Sequence, residues 1–201
     1  MISWIIANWV ELTGTILGFI YVWFEIKGHI WLWPVGILMS TFYIYIFFMS
    51  KLYADMGLQF YYLVVSIYGW LIWLSGKSKE TGKDLPISKL KLPMAGKLIM
   101  ITIPLYALLA FILVKCTDSP VPYCDAFPTT LSIIATYMLA RKILEQWSVL
   151  IVVNICSTAL YLYRGLNPTA LLYGVYIILS VIGYFQWKKE MKLMSAETLY
   201  V

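Results

Sequence analysis

The stretch SIYGWLIW, from Ser66 to Trp73, is written a second time as SVIGYFQW, from Ser180 to Trp187, with Ser, Gly and Trp in the same places. The offset is 114 residues, and it holds well beyond this stretch. Trp33 aligns with Trp147, Val35 with Val149, Leu52 with Leu166 and Tyr62 with Tyr176, with no gap from Trp33 to Trp187. Aromatic meets aromatic at Phe47 with Tyr161 and at Trp70 with Tyr184. Upstream, Glu11 meets Asp125 and Lys27 meets Arg141. Apolar helices share leucines and valines by composition alone. They do not keep Trp, Gly and Ser in register over such a length, so the chain reads as an internal repeat.

Composition sets the solvent in which the repeat folds. The 201 residues are 62% hydrophobic and 12% charged, with a mean hydropathy of +0.81. Soluble domains are nearer half apolar and about a quarter charged. A chain this short cannot bury so much apolar surface against itself, and lipid is the expected medium. Seven apolar stretches follow, at 8–26, 30–49, 54–75, 97–114, 126–140, 146–163 and 168–187. Most approach the ~20 residues that a bilayer needs. The fifth is short and is expected to begin near Pro128, because proline is tolerated at a helix start. The first has neither a basic leader nor a small-residue cleavage site, so it reads as retained helix. The polar run SGKSKETGKDLPISKLKLPMAGK, Ser75 to Lys97, reads as a loop between two halves.

The net charge of +5 is then a signal of sidedness and not of nucleic-acid binding. With seven spans, one side carries Lys51, Lys115 and Arg164 and the other carries the remaining twelve of the fifteen basic residues. Lys and Arg concentrate on the cytoplasmic side, which puts the N-terminus outside and the C-terminus in the cytoplasm. Each half holds three spans. The stretch 97–114 has no partner in the repeat and supplies the crossing that lets both halves point the same way. The expected fold is all-α integral membrane: residues 1–75 as the first three-helix repeat, 76–96 as a cytoplasmic loop, 97–114 as a linker helix, 115–187 as the second repeat and 188–201 as a cytoplasmic tail. Parallel repeats of this kind occur in transporters, with the substrate at the repeat interface near the midplane.

Helical spacing places Gln59, Tyr62, Ser66, Trp70 and Trp73 on one narrow arc, and Tyr173, Tyr176, Ser180, Tyr184 and Trp187 on its copy. The preceding spans carry Trp33, Ser40, Tyr43 and Phe47 against Trp147, Asn154, Ser157 and Tyr161. Hydroxyls and amides at membrane depth face the protein interior or a wet cavity, so two copies of one stripe can close around one ligand. Gln59, Asn154 and Gln186 carry amides whose hydrogen-bonding sites must be satisfied. Ser66 and Ser180 suit helix packing as well. Trp33 and Trp147, at helix starts, suit a gate or an interfacial belt as much as a ligand, and Trp73 and Trp187 share that ambiguity. No Arg or Lys lies mid-span, which disfavours a phosphate ester. No metal-ligand spacing, phosphate-binding glycine loop or catalytic carboxylate pair is present, so no cofactor and no enzyme activity are expected. Glu11, Glu25 and Asp125 read as solvated end residues or helix-start partners, and His29 as a solvated loop residue. Cys116 and Cys124 flank an outer loop and are equally compatible with a bridge and with free thiols. Aromatic faces with few charges suit a flat cationic ligand, at ~2 kcal/mol when desolvated.

The segments WVELTGTILGFIYV (Trp9 to Val22), WPVGI (Trp33 to Ile37), LYADMGLQFYY (Leu52 to Tyr62), GWLIW (Gly69 to Trp73) and GYFQW (Gly183 to Trp187) resemble the PnuC family of bacterial vitamin transporters. The resemblance spans nearly the whole chain, except the Lys-rich loop and the last ten residues. It departs from the family at Ile72, where members often carry Gln; here Gln186 stands in the second half. It implies a multi-pass protein of the bacterial inner membrane that takes up a vitamin precursor by facilitated diffusion, linked to a cytoplasmic vitamin kinase that traps it. Nicotinamide riboside is the type substrate. Thiamine, also a cationic aromatic, stays open, as do self-association and a role as the binding subunit of an energy-coupled complex.

The charge split makes a direct prediction. In a Cys-less background, Ser119→Cys should be labelled by an impermeant thiol reagent on intact cells, and Lys83→Cys only after permeabilisation. The reverse pattern would overturn the orientation.

Overall fold

A computed structural model describes residues 9–49, 53–76, 85–117, 119–165 and 167–197. Lys51, Leu52, Lys77, Lys79, Lys83 and Leu166 lie outside the described residues, as do the side chains of Glu11 and Phe47. Seven helices are described: α1 (Trp9–Ile26), α2 (Leu32–Met49), α3 (Tyr53–Ser75), α4 (Leu92–Cys116), α5 (Pro122–Ala140), α6 (Gln146–Tyr163) and α7 (Asn167–Glu197). They form two units, Met1–Leu85 and Pro86–Val201. In the first, α2 packs on both α1 and α3. In the second, α4, α5, α6 and α7 pack in chain order, each on the next.

Four of the described helices are long and apolar enough to cross a bilayer, at Met56–Ser75, Leu92–Cys116, Gln146–Tyr163 and Thr169–Met194. Ile16–Ile26 and Leu32–Ile46 are shorter apolar helices. On α4 a broad apolar face is exposed, including Ile99, Met100, Ile103, Leu108 and Phe111. A soluble protein does not leave so continuous an apolar surface uncovered, whereas lipid covers it without cost.

Three helix ends differ from the sequence expectation. α4 starts at Leu92, not near 97, with Pro93 in the first turn, where its missing N–H is not needed. α5 starts at Pro122 for the same reason, which leaves Pro128 inside the helix. α7 runs for 31 residues to Glu197. At 1.5 Å per residue that is about 46 Å, longer than the ~30 Å hydrocarbon core. Residues 188–197, expected as part of the tail, continue this helix.

The repeat is visible in the backbone. The turn from α1 to α2 and the turn from α5 to α6 make the same hydrogen bonds 114 residues apart. The Gly28 N–H donates to the Glu25 carbonyl at 3.0 Å, and the Lys142 N–H donates to the Leu139 carbonyl at 2.9 Å. His29 to Phe24 matches Ile143 to Met138; Leu32 to His29 matches Gln146 to Ile143; Trp33 to Ile30 matches Trp147 to Leu144. Both turns need one residue in the left-handed region, and both place it at the same step: Gly28 at φ 58° and Lys142 at φ 49°. Glycine adopts that conformation freely, whereas a side chain pays about 1–2 kcal/mol. The second turn has a brace that holds its lysine there. The Ser88 N–H donates to the Lys142 carbonyl, the Leu144 N–H donates to the Ser88 carbonyl, both at 2.9 Å, and the Leu90 N–H donates to the Glu145 carboxylate at 2.7 Å. Leu90 also packs on the core formed by Leu98, Ile134, Met138 and Ile143.

The repeated Gly and Trp form the tightest packing in each half. Trp33 is fully buried and lies across Gly69, edge-on to Trp73 at a centroid distance of 5.4 Å. Trp147 repeats this over Gly183, edge-on to Trp187 at 5.7 Å. A Cβ at either glycine would stand nearer than 3.0 Å to the indole ring. Gly69→Ala and Gly183→Ala are therefore predicted to lower the melting temperature of the detergent-purified protein, by overpacking worth ~1–3 kcal/mol. Gly174→Ala, with no atom within 4 Å of the added carbon, should leave it unchanged or raise it. Equal shifts for all three variants would refute the interlock.

Candidate functional site

In the second half, polar and aromatic groups line up along the α6–α7 seam in three layers. The Trp147–Trp187 pair closes the end beside the 141–146 turn. Next, Asn154 is buried, and its Nδ2 donates to Ser180 Oγ at 3.1 Å. Ser180 Oγ donates in turn to the Tyr176 carbonyl at 2.7 Å. That chain fixes the plane of the amide. Third, Tyr161, Tyr173 and Tyr176 form a half-buried ring cluster, at centroid distances of 5.1 Å and 5.8 Å. The layers follow from the sequence, because positions three and four apart on a helix fall on one face.

The first half has the same layers with different chemistry. Ser40 and Ser66 are buried where Asn154 and Ser180 stand in the copy. Ser66 sits against Gly36, its Oγ 2.9 Å from where a Cβ there would lie. Tyr43 packs against Gly14. Gln59 and Tyr62 are half-buried, with Tyr61 edge-on to Tyr62 at 5.4 Å.

The stripes expected to face a ligand are thus divided. Ser66, Trp73, Ser180 and Trp187 are buried against the neighbouring helix of their own half, together with Trp33 and Trp147. Asn154 joins Ser180 and Tyr176 in one bonded group. Gln59, Tyr62 and Tyr176 remain half-buried. Trp70 and Gln186 are exposed. Tyr184 has Lys188 Nζ 5.5 Å from its ring centroid, and Trp23 has Lys27 Nζ at 5.2 Å, contacts suited to an interfacial belt.

Of the groups at helix ends, Glu25 departs from the solvated reading. Glu25 is buried and has a partner, not solvated, because it ends α1 inside the α1–α2 turn. Asp125, in the first turn of α5, accepts the Ser119 hydroxyl. His29 is exposed and stacks on Phe24. Cys116 and Cys124 are free, exposed thiols. Among the described residues no three His, Cys, Asp or Glu side chains are grouped to hold a metal ion. Two residues were not singled out from the sequence. Glu145 holds the Leu90 N–H, and Gln146 is wholly buried with an unpaired amide. The signal for Gln146 was present: its partner in the repeat is Leu32.

Comparison with known proteins extends over the same length. The nicotinamide riboside transporter PnuC of Escherichia coli (strain K12) is 26% identical over 204 residues, covering 90% of this chain and 85% of that protein. The riboflavin/roseoflavin transporter RibM of Streptomyces davaonensis is 28% identical over 182 residues, covering 89% and 84%. The crystal structure of the vitamin B3 transporter PnuC shares the fold, with a TM-score of 0.72 and 24% identity over 92% of this chain and 83% of that one. The family model described as nicotinamide mononucleotide transporter matches residues 8–189, through both halves and the linker helix. This multi-pass membrane protein belongs to that family.

Proposed function

We propose that this chain takes up nicotinamide riboside across the bacterial inner membrane by facilitated diffusion. The halves run parallel in a three-one-three plan, with the N-terminus outside and the C-terminus in the cytoplasm. Phosphorylation inside the cell then traps the vitamin. The observation that carries this reading is the Asn154 amide, held in one plane by Ser180 beside the tyrosines of α6 and α7. An amide oxygen accepts from hydroxyl or carboxamide donors, and tyrosine faces attract a cationic ring. Tyr176, half-buried on α7, supplies a further ring face, and Gln59 and Tyr62 are the half-buried polar and aromatic groups of the first half. Trp73 and Trp187 act from behind, by holding the helices that carry them.

The family description names a mononucleotide, and curated relatives are named for the riboside. The chemistry of this chain favours the riboside. No Lys or Arg stands in the middle of a helix to neutralise a phosphate, and a bare phosphate in a low-dielectric setting is strongly disfavoured. Thiamine is the second reading, since it shares the cationic aromatic ring on which the tyrosine faces act. Riboflavin, named for one relative, shares the flat ring without the charge.

Isothermal calorimetry on the purified protein tests the reading. Nicotinamide riboside is expected to bind at least about ten-fold more tightly than the mononucleotide, a difference of ~1.4 kcal/mol. Asn154→Leu and Gln59→Leu should each weaken binding by about ten-fold or more, since a stranded partner costs ~1–3 kcal/mol, with an unchanged size-exclusion profile. Trp187→Leu should lower affinity and melting temperature together, and Leu63→Ala should alter affinity little. Folded amide variants that bind as tightly as the wild type would place the site elsewhere.

A further inference from the structure

Gln146 is the first residue of α6, and it is buried without any remaining exposure. Among the described residues neither Nε2 nor Oε1 of its amide has a hydrogen-bond partner; the adjacent Trp147 Nε1–H is unpaired too, but so is its counterpart Trp33 Nε1–H, so the amide alone is particular to this turn. An amide without a protein partner at such depth costs about 1–3 kcal/mol, a sizeable part of the net stability of a fold.

The repeat supplies the control. Leu32 occupies the same position at the start of α2, with the same turn hydrogen bonds and the same complete burial. The cage accepts a leucine, so packing does not require the amide. A second liability sits in the same turn: Lys142 is left-handed where the first half has Gly28. Both are confined to one of two otherwise matching turns, and the brace from Ser88 and Leu90 closes over that one. Strain and unpaired polar groups gathered at one place in a fold mark a segment that is better satisfied in a second conformation.

We propose that Gln146 is a transport residue. Its amide meets hydroxyl groups of the passing substrate when the Lys142–Trp147 turn has opened, and its unpaired state here biases the protein toward that open form. This rests on the transport reading above. Substrate hydroxyls both donate and accept, which matches the two orphaned atoms of the amide. A side chain that favours one conformation over the other changes the rate of exchange between them without belonging to the principal site.

The experiment compares Gln146→Leu and Leu32→Gln with the wild type, in thermal unfolding and in initial uptake by proteoliposomes. The substrate is whichever of nicotinamide riboside, thiamine and riboflavin the wild type carries. Gln146→Leu is expected to raise the melting temperature by about 2–4 °C and to slow uptake by about ten-fold. Leu32→Gln, which places an amide in the matching cage, should lower the melting temperature or prevent folding. A fall in the melting temperature of Gln146→Leu would show that the amide is satisfied, for instance by an internal water, and would overturn the proposal. Unchanged uptake with a raised melting temperature would overturn it too, since the amide would then have no part in transport. A neutral Leu32→Gln would refute the premise that the cage penalises an amide. A wild type that carries none of the three substrates removes the functional reading itself, and the transport role of Gln146 with it.

Discussion

Each half of this protein is organised by an indole laid across a glycine. Lipid tails are as apolar as the helix surfaces they cover, so water does not drive transmembrane helices together. Close packing has to do so, and small residues allow it. Trp33 over Gly69 and Trp147 over Gly183 bring a large flat side chain against bare backbone, with a second tryptophan closing the edge. The contact sets the depth of α3 against α2 and of α7 against α6. Every other position on those helices then falls at a fixed height. That is why the short sentence at Ser66–Trp73 is repeated: its Ser, Gly and Trp are the residues that the packing can least exchange.

With the packing residues held constant, the two halves are free to differ elsewhere. Ser40 becomes Asn154, Gln59 becomes Tyr173, Gly28 becomes Lys142 and Leu32 becomes Gln146. The first replaces a hydroxyl by an amide and the second an amide by a phenol ring. The last two place strain and an unpaired amide at the end of one half only. A duplicated unit thus presents unlike chemistry on a common frame.

The helices and the repeat were legible because hydropathy and residue identity report them directly. The turn from α1 to α2 and its copy keep the offset down to single hydrogen bonds. The ends of α4, α5 and α7 were not legible. Pro93 lay in the polar stretch read as a loop and Pro122 ahead of the start expected near Pro128, yet both sit in first turns, and the charged end of α7 has no apolar signal to mark it as helix. The aromatic and hydroxyl stripes were visible, but their use was not. Spacing of three and four puts Ser66 and Trp73 on one face whether that face meets a cavity or a neighbouring helix. Only the burial of Ser66 against Gly36, and of Trp73 against Trp33, tells the two apart. Glu25 misled for a related reason: a carboxylate at a helix end reads as solvated unless the turn folds back over it.

The proposed function, facilitated diffusion of a cationic vitamin, makes uptake depend on the substrate's own electrochemical gradient. A single positive charge then responds to the membrane potential by ~2.3 kcal/mol per 100 mV. The most direct measurement is uptake of labelled nicotinamide riboside by liposomes containing this chain alone, under a clamped potassium diffusion potential. The account predicts saturable uptake without a proton or sodium gradient, increased when the interior is negative. Uptake that requires either ion gradient at fixed potential, or that appears only when a second protein is added, would contradict it.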